Sequence, residues 1–541
     1  MQSAQRYWSR SDWKPPKSGL KLASRGRFYK QAPAGRSRGL IEHPIVIALT
    51  FAVYFGCVLL IGWYAYQRTK DLSDFILGGR RLQSGVAALS ASASDMSGWL
   101  LLGLPGFAYA AGLESIWLAG GLLLGTWLNW RVVARRLRSF SEAYDNALTL
   151  PEYFANRFED KTGLLRGLAA ITILLFFLIY TASGLVAGGK LFESVFGFPY
   201  VWAVGLAVLS IIIYTAVGGF LAVSWSDVLQ GLLMALALIA VPWIALQHLG
   251  GMDAAVERIR DVDPLLLSAW TKTDGTALGL IGIVSLAAWG LGYFGQPHIL
   301  ARFQAIESPH KIGTARRIAV TWVALTLVGA ILTGMAGILL VDPPLAEDAR
   351  ETVFIVLVDL LFHPVIAGIL LAAILAAIMS TADSQLLVCS SAFTEDVYKT
   401  AFRRSASQRE LVAVGRVAVI LVSSIAFAIA LDPDTLVLDL VAYAWAGFGA
   451  AFGPAVILSL YWPRMTGLGA LAGIVAGGLT VVVWKQLTGG LFDLYEILPG
   501  IIASALAIYA VSAMTQGKQA DRLAERFEAV RRLDADASRA R

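Results

Sequence analysis

Cysteine and charge are what this sequence has least of. Only Cys57 and Cys389 occur among its 541 residues. Two cysteines exclude a disulfide framework, and both stand in or beside apolar runs, where free, buried thiols are expected. Asp, Glu, Lys and Arg make up 15% of the chain, against roughly a quarter in soluble globular domains. That excludes an ordinary soluble domain. Phosphate-binding machinery is missing too: there is no P-loop, so ATP-driven transport within the chain is not expected. No CxxC and no catalytic triad appear, and His298 and His310 lie near a polar loop without metal-ligand spacing. An enzyme is therefore not expected.

What is present is apolar, with 57% hydrophobic residues, 52 glycines and 16 tryptophans. Small residues let helix backbones approach closely in a membrane bundle, and tryptophan suits the two lipid–water interfaces. The net charge of +6 does not point to nucleic acid, because the basic residues sit in short loops between apolar segments and in the two tails. A helix needs about 20 apolar residues to cross the hydrocarbon core. Thirteen stretches qualify: 44–66, 84–111, 114–134, 165–190, 198–219, 226–248, 277–300, 315–341, 362–388, 412–431, 435–461, 466–486 and 492–514. The run 351–361 is too short to span and is expected as a short helix on the outer face.

Loop charge gives the orientation. Alternate loops hold Arg68, Lys70, Arg80 and Arg81; Arg131, Arg135, Arg136, Arg138, Arg157 and Lys161; Arg302, Lys311, Arg316 and Arg317; Lys399, Arg403, Arg404 and Arg409; and Arg464. The other set holds little beyond Lys190, Arg258, Arg260, Lys272, Arg350 and Lys485. The first set is expected in the cytoplasm, which puts the N-terminus outside and the C-terminus inside. The basic extension 1–43 conflicts with that. Three readings stand: a translocated disordered tail, an override of the first helix's topology, or a true start near Leu40. The tail 515–541 reads as an amphipathic helix, solvated or on the membrane surface. Between them, 44–514 forms one transmembrane domain.

Transporters place solute and coupling ion near the bilayer midplane, where helices are broken, and unwound backbone at that depth must line a cavity. Three apolar spans carry polar or small-residue interruptions. In the second, Ser90, Ser92, Ser94, Asp95, Ser97 and Gly98 follow closely. A carboxylate there is costly and by default functional; the alternative is a satisfied polar packing motif. In the seventh, Trp289-Gly-Leu-Gly-Tyr293-Phe-Gly-Gln-Pro297 weakens the helix and supplies flat aromatic walls. It reads as a solute pocket with a hinge, or as an interfacial aromatic belt. In the ninth, Ser380 and Thr381 offer two hydroxyl oxygens to a hard cation, although such residues often only bond the helix backbone. Asp383 beside them is either deeper machinery or a marker of the helix's cytoplasmic end. The first two breaks lie five spans apart, as two inverted five-helix repeats require. The fold expected is thus an all-α polytopic membrane protein with a five-plus-five core of the leucine-transporter kind. The first and last two spans would be peripheral. Gly121 and Gly125 form a GxxxG pair, read as internal helix packing.

The strings DFILGGRRL, ASDMSGWLLLGLPG, NALTLPEYFANRFEDK, GGFLAVSWSD, WGLGYFGQPHILARF, SSAFTEDVYK and YAWAGFGAAFGP are long and specific. On them the chain, from about 44 to 514, resembles the proline-carrying members of the bacterial sodium/solute symporter family. The resemblance implies Na⁺-coupled uptake of L-proline across the inner (cytoplasmic) membrane by alternating access. It implies a Na⁺ site made of the carbonyls of Ala93, Met96 and Ala377 and the hydroxyls of Ser380 and Thr381. Asp95 is implied in sodium coupling, and Ser97 and Gly98 in shaping the ion and solute region. Tyr180, Trp289, Tyr293 and Pro297 match positions tied to proline, and Arg80 and Asp227 match positions of the sodium-coupled cycle. One departure stands out: STADSQLL occurs where the family's proline carriers are expected to read STLSCQLL, which puts nearby gating in question. The partners implied are L-proline, Na⁺ and membrane lipid, with no nucleic acid and no obligate protein. A carrier of another solute would keep the ion site and change the pocket, and WGLGYFGQP argues against it. A solute-sensing membrane domain would carry a long signalling region after the spans, where 27 residues stand here. A channel would show a charged ring or filter repeat.

Overall fold

The computed structural model describes residues 43–68, 72–403 and 405–539. The extension 1–42 and the loop cations Lys70 and Arg404 lie outside the described residues. The described chain is helical, with only two isolated bridges of β type. Its main helices are α1 (Pro44–Tyr66), α2 (Ser84–Asp95), α3 (Leu104–Ala111), α4 (Ile116–Val132), α5 (Ala134–Ala143) and α6 (Leu150–Phe158). Then come α7 (Leu164–Phe196), α8 (Tyr200–Leu249), α9 (Gly279–Ala287), α10 (Pro297–Ala305), α11 (Ile312–Leu340) and α12 (Val353–Leu361). The chain ends with α13 (Pro364–Ser391), α14 (Gln408–Ile429), α15 (Val437–Tyr461), α16 (Gly467–Trp484), α17 (Ile497–Met514) and α18 (Lys518–Arg539).

Among the described residues, ten helices are long and apolar enough to cross a membrane, or eleven if the pair bent by 48° around Gln296 counts as one span. The thirteen apolar stretches all fall on helices. They give fewer spans because the chain turns without a loop at two glycines. Gly112 and Gly219 take φ of 60° and 62°, which a side chain disfavours, and helix continues almost directly on either side. The second and third stretches therefore share one span, Trp99–Ala143, while within α8 the kink at Gly219 leaves the fifth as Tyr200–Ile212, too short to count, ahead of the sixth at Gly219–Leu249.

Burial sorts the helices into centre and rim. The apolar windows of α13 and α15 are 83% buried, those of α1 and α17 only 28%. The rim helices turn large apolar side chains outward, such as Ile45, Leu60 and Trp63 on α1 and Leu506 and Tyr509 on α17. A soluble protein would not expose such a surface. Inside, small residues set the spacing: a Cβ on Gly121 would lie 2.3 Å from the Ala287 carbonyl oxygen, and one on Gly125 would lie 2.1 Å from that of Gly290. The GxxxG pair thus packs α4 internally, as read from the sequence.

The run 351–361 does form a short helix, α12, with Val353 to Val358 buried and Leu360 exposed. Three sequence expectations need correction. Cys57 is exposed on α1 and, of the two cysteines, Cys389 is buried, because α1 turns most of its surface outward. Arg302 is not a loop cation but lies fully buried within α10, its charge met by Asp227. Finally, α18 is docked on the protein. Phe527 is fully buried, edge-on to Phe140 of α5 at 5.3 Å between ring centroids. Arg522 pairs with Glu159, Arg526 with Asp145 at 3.3 Å, and Ser139 donates to Asp534 at 2.8 Å.

Candidate functional site

The second apolar stretch breaks where its serines and glycine foretold. Helix α2 ends at Asp95, and Met96 leaves helical geometry with φ −84° and ψ 76°. Gly98 is needed there, because a Cβ would sit 2.5 Å from that of Ala187. In the seventh stretch, a tight helical turn over Ala288–Gly295 gives way to extended backbone at Gln296, and Pro297 opens α10. Proline is well placed at a helix's first position, where its missing N–H costs nothing.

The two breaks meet. The Tyr293 phenol donates to Asp95 Oδ2 at 2.6 Å, and the Tyr180 phenol donates to the Asp95 carbonyl at 3.2 Å. The other carboxylate oxygen, Oδ1, is buried with no hydrogen-bond partner among the described residues, as is the Ser97 hydroxyl. Trp289 packs 6.4 Å from Trp99 and stacks on Tyr495 at 5.7 Å between centroids. Trp445 donates to the Trp289 carbonyl at 2.7 Å and stands edge-on to Tyr293. Asp95, Tyr180, Trp289 and Tyr293 thus share one aromatic-walled neighbourhood, with Ser97 and Gly98 just after Asp95 in the α2 break and Pro297 at the start of α10, four residues beyond Tyr293.

An oxygen cluster adjoins it. The Ala93 carbonyl accepts from Ser380 Oγ at 2.9 Å and Thr381 Oγ1 at 3.5 Å, and Ser380 Oγ also reaches the Ala377 carbonyl at 3.1 Å. Four of the five expected ion ligands are therefore in mutual contact. The fifth, the Met96 carbonyl, leaves from the unwound residue three positions after Ala93. Such an all-oxygen set suits a hard cation.

The remaining two expected residues lie elsewhere. Asp227 Oδ2 accepts from Ser90 Oγ at 2.6 Å, Ser94 Oγ at 3.2 Å and Arg302 Nη2 at 3.2 Å. Arg302 also donates to Ser384, whose hydroxyl lies 3.0 Å from that of Ser94. This buried network ties α2, α8, α10 and α13 together. Asp383 belongs to its surroundings, eight residues before α13 ends, so it does not mark the helix's cytoplasmic end. Ser90, Ser94, Arg302 and Ser384 were missed as a group; the serine spacing on α2 was visible, but their partner lies over a hundred residues away. Arg80 takes no part in either set of contacts. It ties the loop after α5 to α5 and α10, donating to Asn146 Oδ1 at 2.7 Å, Ser141 Oγ at 3.0 Å, and the Gln304 and Ala147 carbonyls at 2.7 and 2.8 Å. Burial, and then repulsion from Arg138, lower its guanidinium to about 10, so it stays cationic at neutral pH.

Residues 75–477 match the model of the sodium:solute symporter family. The chain belongs to that family. The "Sodium/proline symporter" of Salmonella typhimurium is 52% identical over 497 residues, covering 90% of this chain and 96% of that protein. The "High-affinity proline transporter PutP" of Bacillus subtilis is 51% identical over 468 residues, covering 85% and 96%. Among solved structures, the chain is similar to a Na⁺-coupled sialic acid symporter, with a TM-score of 0.71 at 20% identity, covering 87% of this chain and 98% of that one. At that identity the likeness establishes the fold. Family membership and the apolar spans together make the chain a multi-pass membrane transporter.

Proposed function

We propose that the protein carries L-proline inward together with Na⁺, by alternating access across the bacterial cytoplasmic membrane. The observation that carries this reading is the 2.6 Å contact from Tyr293 to Asp95, where two helix breaks meet beside an all-oxygen cluster. The printed names of the half-identical relatives supply the solute. Na⁺ takes the carbonyls of Ala93, Met96 and Ala377 and the hydroxyls of Ser380 and Thr381. Bound there, it holds the α2 break open and fixes Asp95. Proline lies against Trp289 and Tyr293, its ring on the aromatic faces and its ammonium toward Asp95. Ser97, Gly98, Tyr180 and Pro297 shape the same pocket. Asp227 and Arg80 act at a distance: Asp227 holds α2, α8 and α10 in register through Arg302, and Arg80 fixes the loops around α5.

The architecture proposed is thirteen membrane crossings, N-terminus outside and C-terminus inside, with an inverted five-plus-five core. Rim positions for α1, α16 and α17 support it, as does α18 docking on the loops that carry the basic residues. The domain limits proposed are 1–43, 44–514 and 515–541. Lipid surrounds the protein, and neither nucleic acid nor an obligate protein partner is required. Ion and solute sites that share the α2 break must be linked, so each raises the affinity of the other by the same factor. In detergent, L-proline should raise the melting temperature in Na⁺ and leave it unchanged in K⁺, since a ligand stabilises the state it binds. An equal rise in both salts would refute the linkage.

A further inference from the structure

His298 follows the Pro297 break by one residue and takes no part in the side-chain contacts described so far. It is fully buried, and neither ring nitrogen has a hydrogen-bond partner among the described residues. Two aromatics of α7 hold the ring edge-on, Phe177 at 5.6 Å and Tyr180 at 6.0 Å between centroids. Buried polar atoms are ordinarily paired. A neutral imidazole offers a donor on one nitrogen and an acceptor on the other, so this orphaned pair marks a place that a polar visitor fills. A second orphan is held by the same stretch of α7: Gln385 Oε1 accepts from Thr181, next in the chain to Tyr180, while its Nε2 is buried without a partner among the described residues.

Position says which visitor. Tyr293, before the break, reaches Asp95. Arg302, four residues after His298, reaches Asp227 and donates to the His298 carbonyl at 3.0 Å. Along the chain His298 stands between Tyr293 and Arg302, which reach the two clusters, and Tyr180 touches both Asp95 and His298. A solute leaving the Asp95–Tyr293 pocket past Tyr180 toward the Arg302 side meets His298 on the way. A zwitterion presents an acceptor and a donor at once, which matches the two free imidazole nitrogens.

We infer that His298, with Gln385, is a transit contact that receives the charged ends of the amino acid as it leaves the Asp95–Tyr293 pocket for the cytoplasm. The inference rests on the transport reading above. It assigns His298 to passage and not to the initial binding of solute.

The test is transport by proteoliposomes carrying wild type, His298→Phe, which keeps an aromatic ring without its nitrogens, and His298→Asn, which keeps a donor and an acceptor. Wild-type uptake of labelled L-proline tests the reading itself. If wild type accumulates a different solute, the same comparison is made with that one. In His298→Phe the maximal rate should fall about tenfold or more while apparent affinity from outside stays within about twofold, and His298→Asn should regain roughly a third of the rate. Wild-type rates in His298→Phe would overturn the inference. So would an equal loss of affinity in both variants, which marks a packing role. If His298→Phe does not reach the membrane, His298→Cys on a Cys57→Ser, Cys389→Ser background serves instead. An impermeant thiol reagent applied from the cytoplasmic side should label it, and saturating solute with Na⁺ should slow the labelling. Labelling indifferent to solute would contradict a transit role.

Discussion

A carboxylate inside an apolar helix persists only when something repays its burial, and Asp95 and Asp227 are repaid differently. Asp95 receives one phenol and keeps Oδ1 unpaired, an arrangement suited to a ligand that comes and goes. Asp227 Oδ1 likewise has no partner among the described residues, but its Oδ2 receives two hydroxyls and a guanidinium, which tie α8 to α2 and α10. Asp95→Asn should therefore abolish Na⁺-driven uptake while the protein still inserts; normal sodium-dependent uptake would move the coupling site elsewhere. Tyr293→Ala removes a hydrogen bond to a charged group, worth about 1.5–3 kcal/mol, so apparent proline affinity should weaken roughly ten- to a hundredfold. Its sodium dependence should change less, and an unchanged affinity would place the pocket elsewhere. Arg302→Met leaves Asp227 charged without its cation, at a cost of about 3–5 kcal/mol. Its melting temperature in detergent should drop sharply, and adding Asp227→Asn should recover part of the loss. Asp95 was legible in the sequence because a lone carboxylate in an apolar run is conspicuous. Arg302 was not, because it stands two residues past the expected end of an apolar stretch and reads as a loop cation until its partner, 75 residues earlier in the chain, is brought beside it.

Among the elements, apolar run length located the helices well: the expected 315–341 became Ile312–Leu340, and 466–486 became Gly467–Trp484. Run length did not separate helices that abut through a left-handed glycine, as at Gly112 and Gly219. Nor did it show what the amphipathic face of α18 meets. The apolar positions Leu523, Phe527 and Val530 were visible, but the charges that receive its arginines, Asp145 and Glu159, belong to loops more than 350 residues earlier. Phe527→Ala should release the tail, seen as faster tryptic cleavage within 515–539 while the membrane core stays intact. Cleavage at the wild-type rate would mean that the ion pairs alone hold it. Close packing of α4 makes a sharper demand. With a carbonyl oxygen where its Cβ would go, Gly125→Leu should prevent assembly, read as loss of monodisperse protein on size exclusion.

The whole molecule has two deeply buried helices, α13 and α15, both packed on α7 and surrounded by helices whose outer faces are apolar, with broken spans at the centre. Some of its buried charge stands in bonded sets, Asp227–Arg302 and Lys190–Glu351, while Asp95 is met by a phenol alone among the described residues. That plan leaves the α2 break as the meeting place of ion and solute, and it makes energy transfer a matter of linkage rather than chemistry. One Na⁺ entering down about 100 mV contributes about 2.3 kcal/mol. A tenfold sodium gradient adds about 1.4 kcal/mol, enough together for about 500-fold accumulation of a solute carried one-to-one. The direct test is uptake of labelled L-proline into proteoliposomes under an inward Na⁺ gradient, set against an equal K⁺ gradient. Accumulation above equilibrium in Na⁺ and not in K⁺ is the expected result. Equal uptake in both salts, or none from a well-inserted protein, would contradict sodium-coupled proline transport.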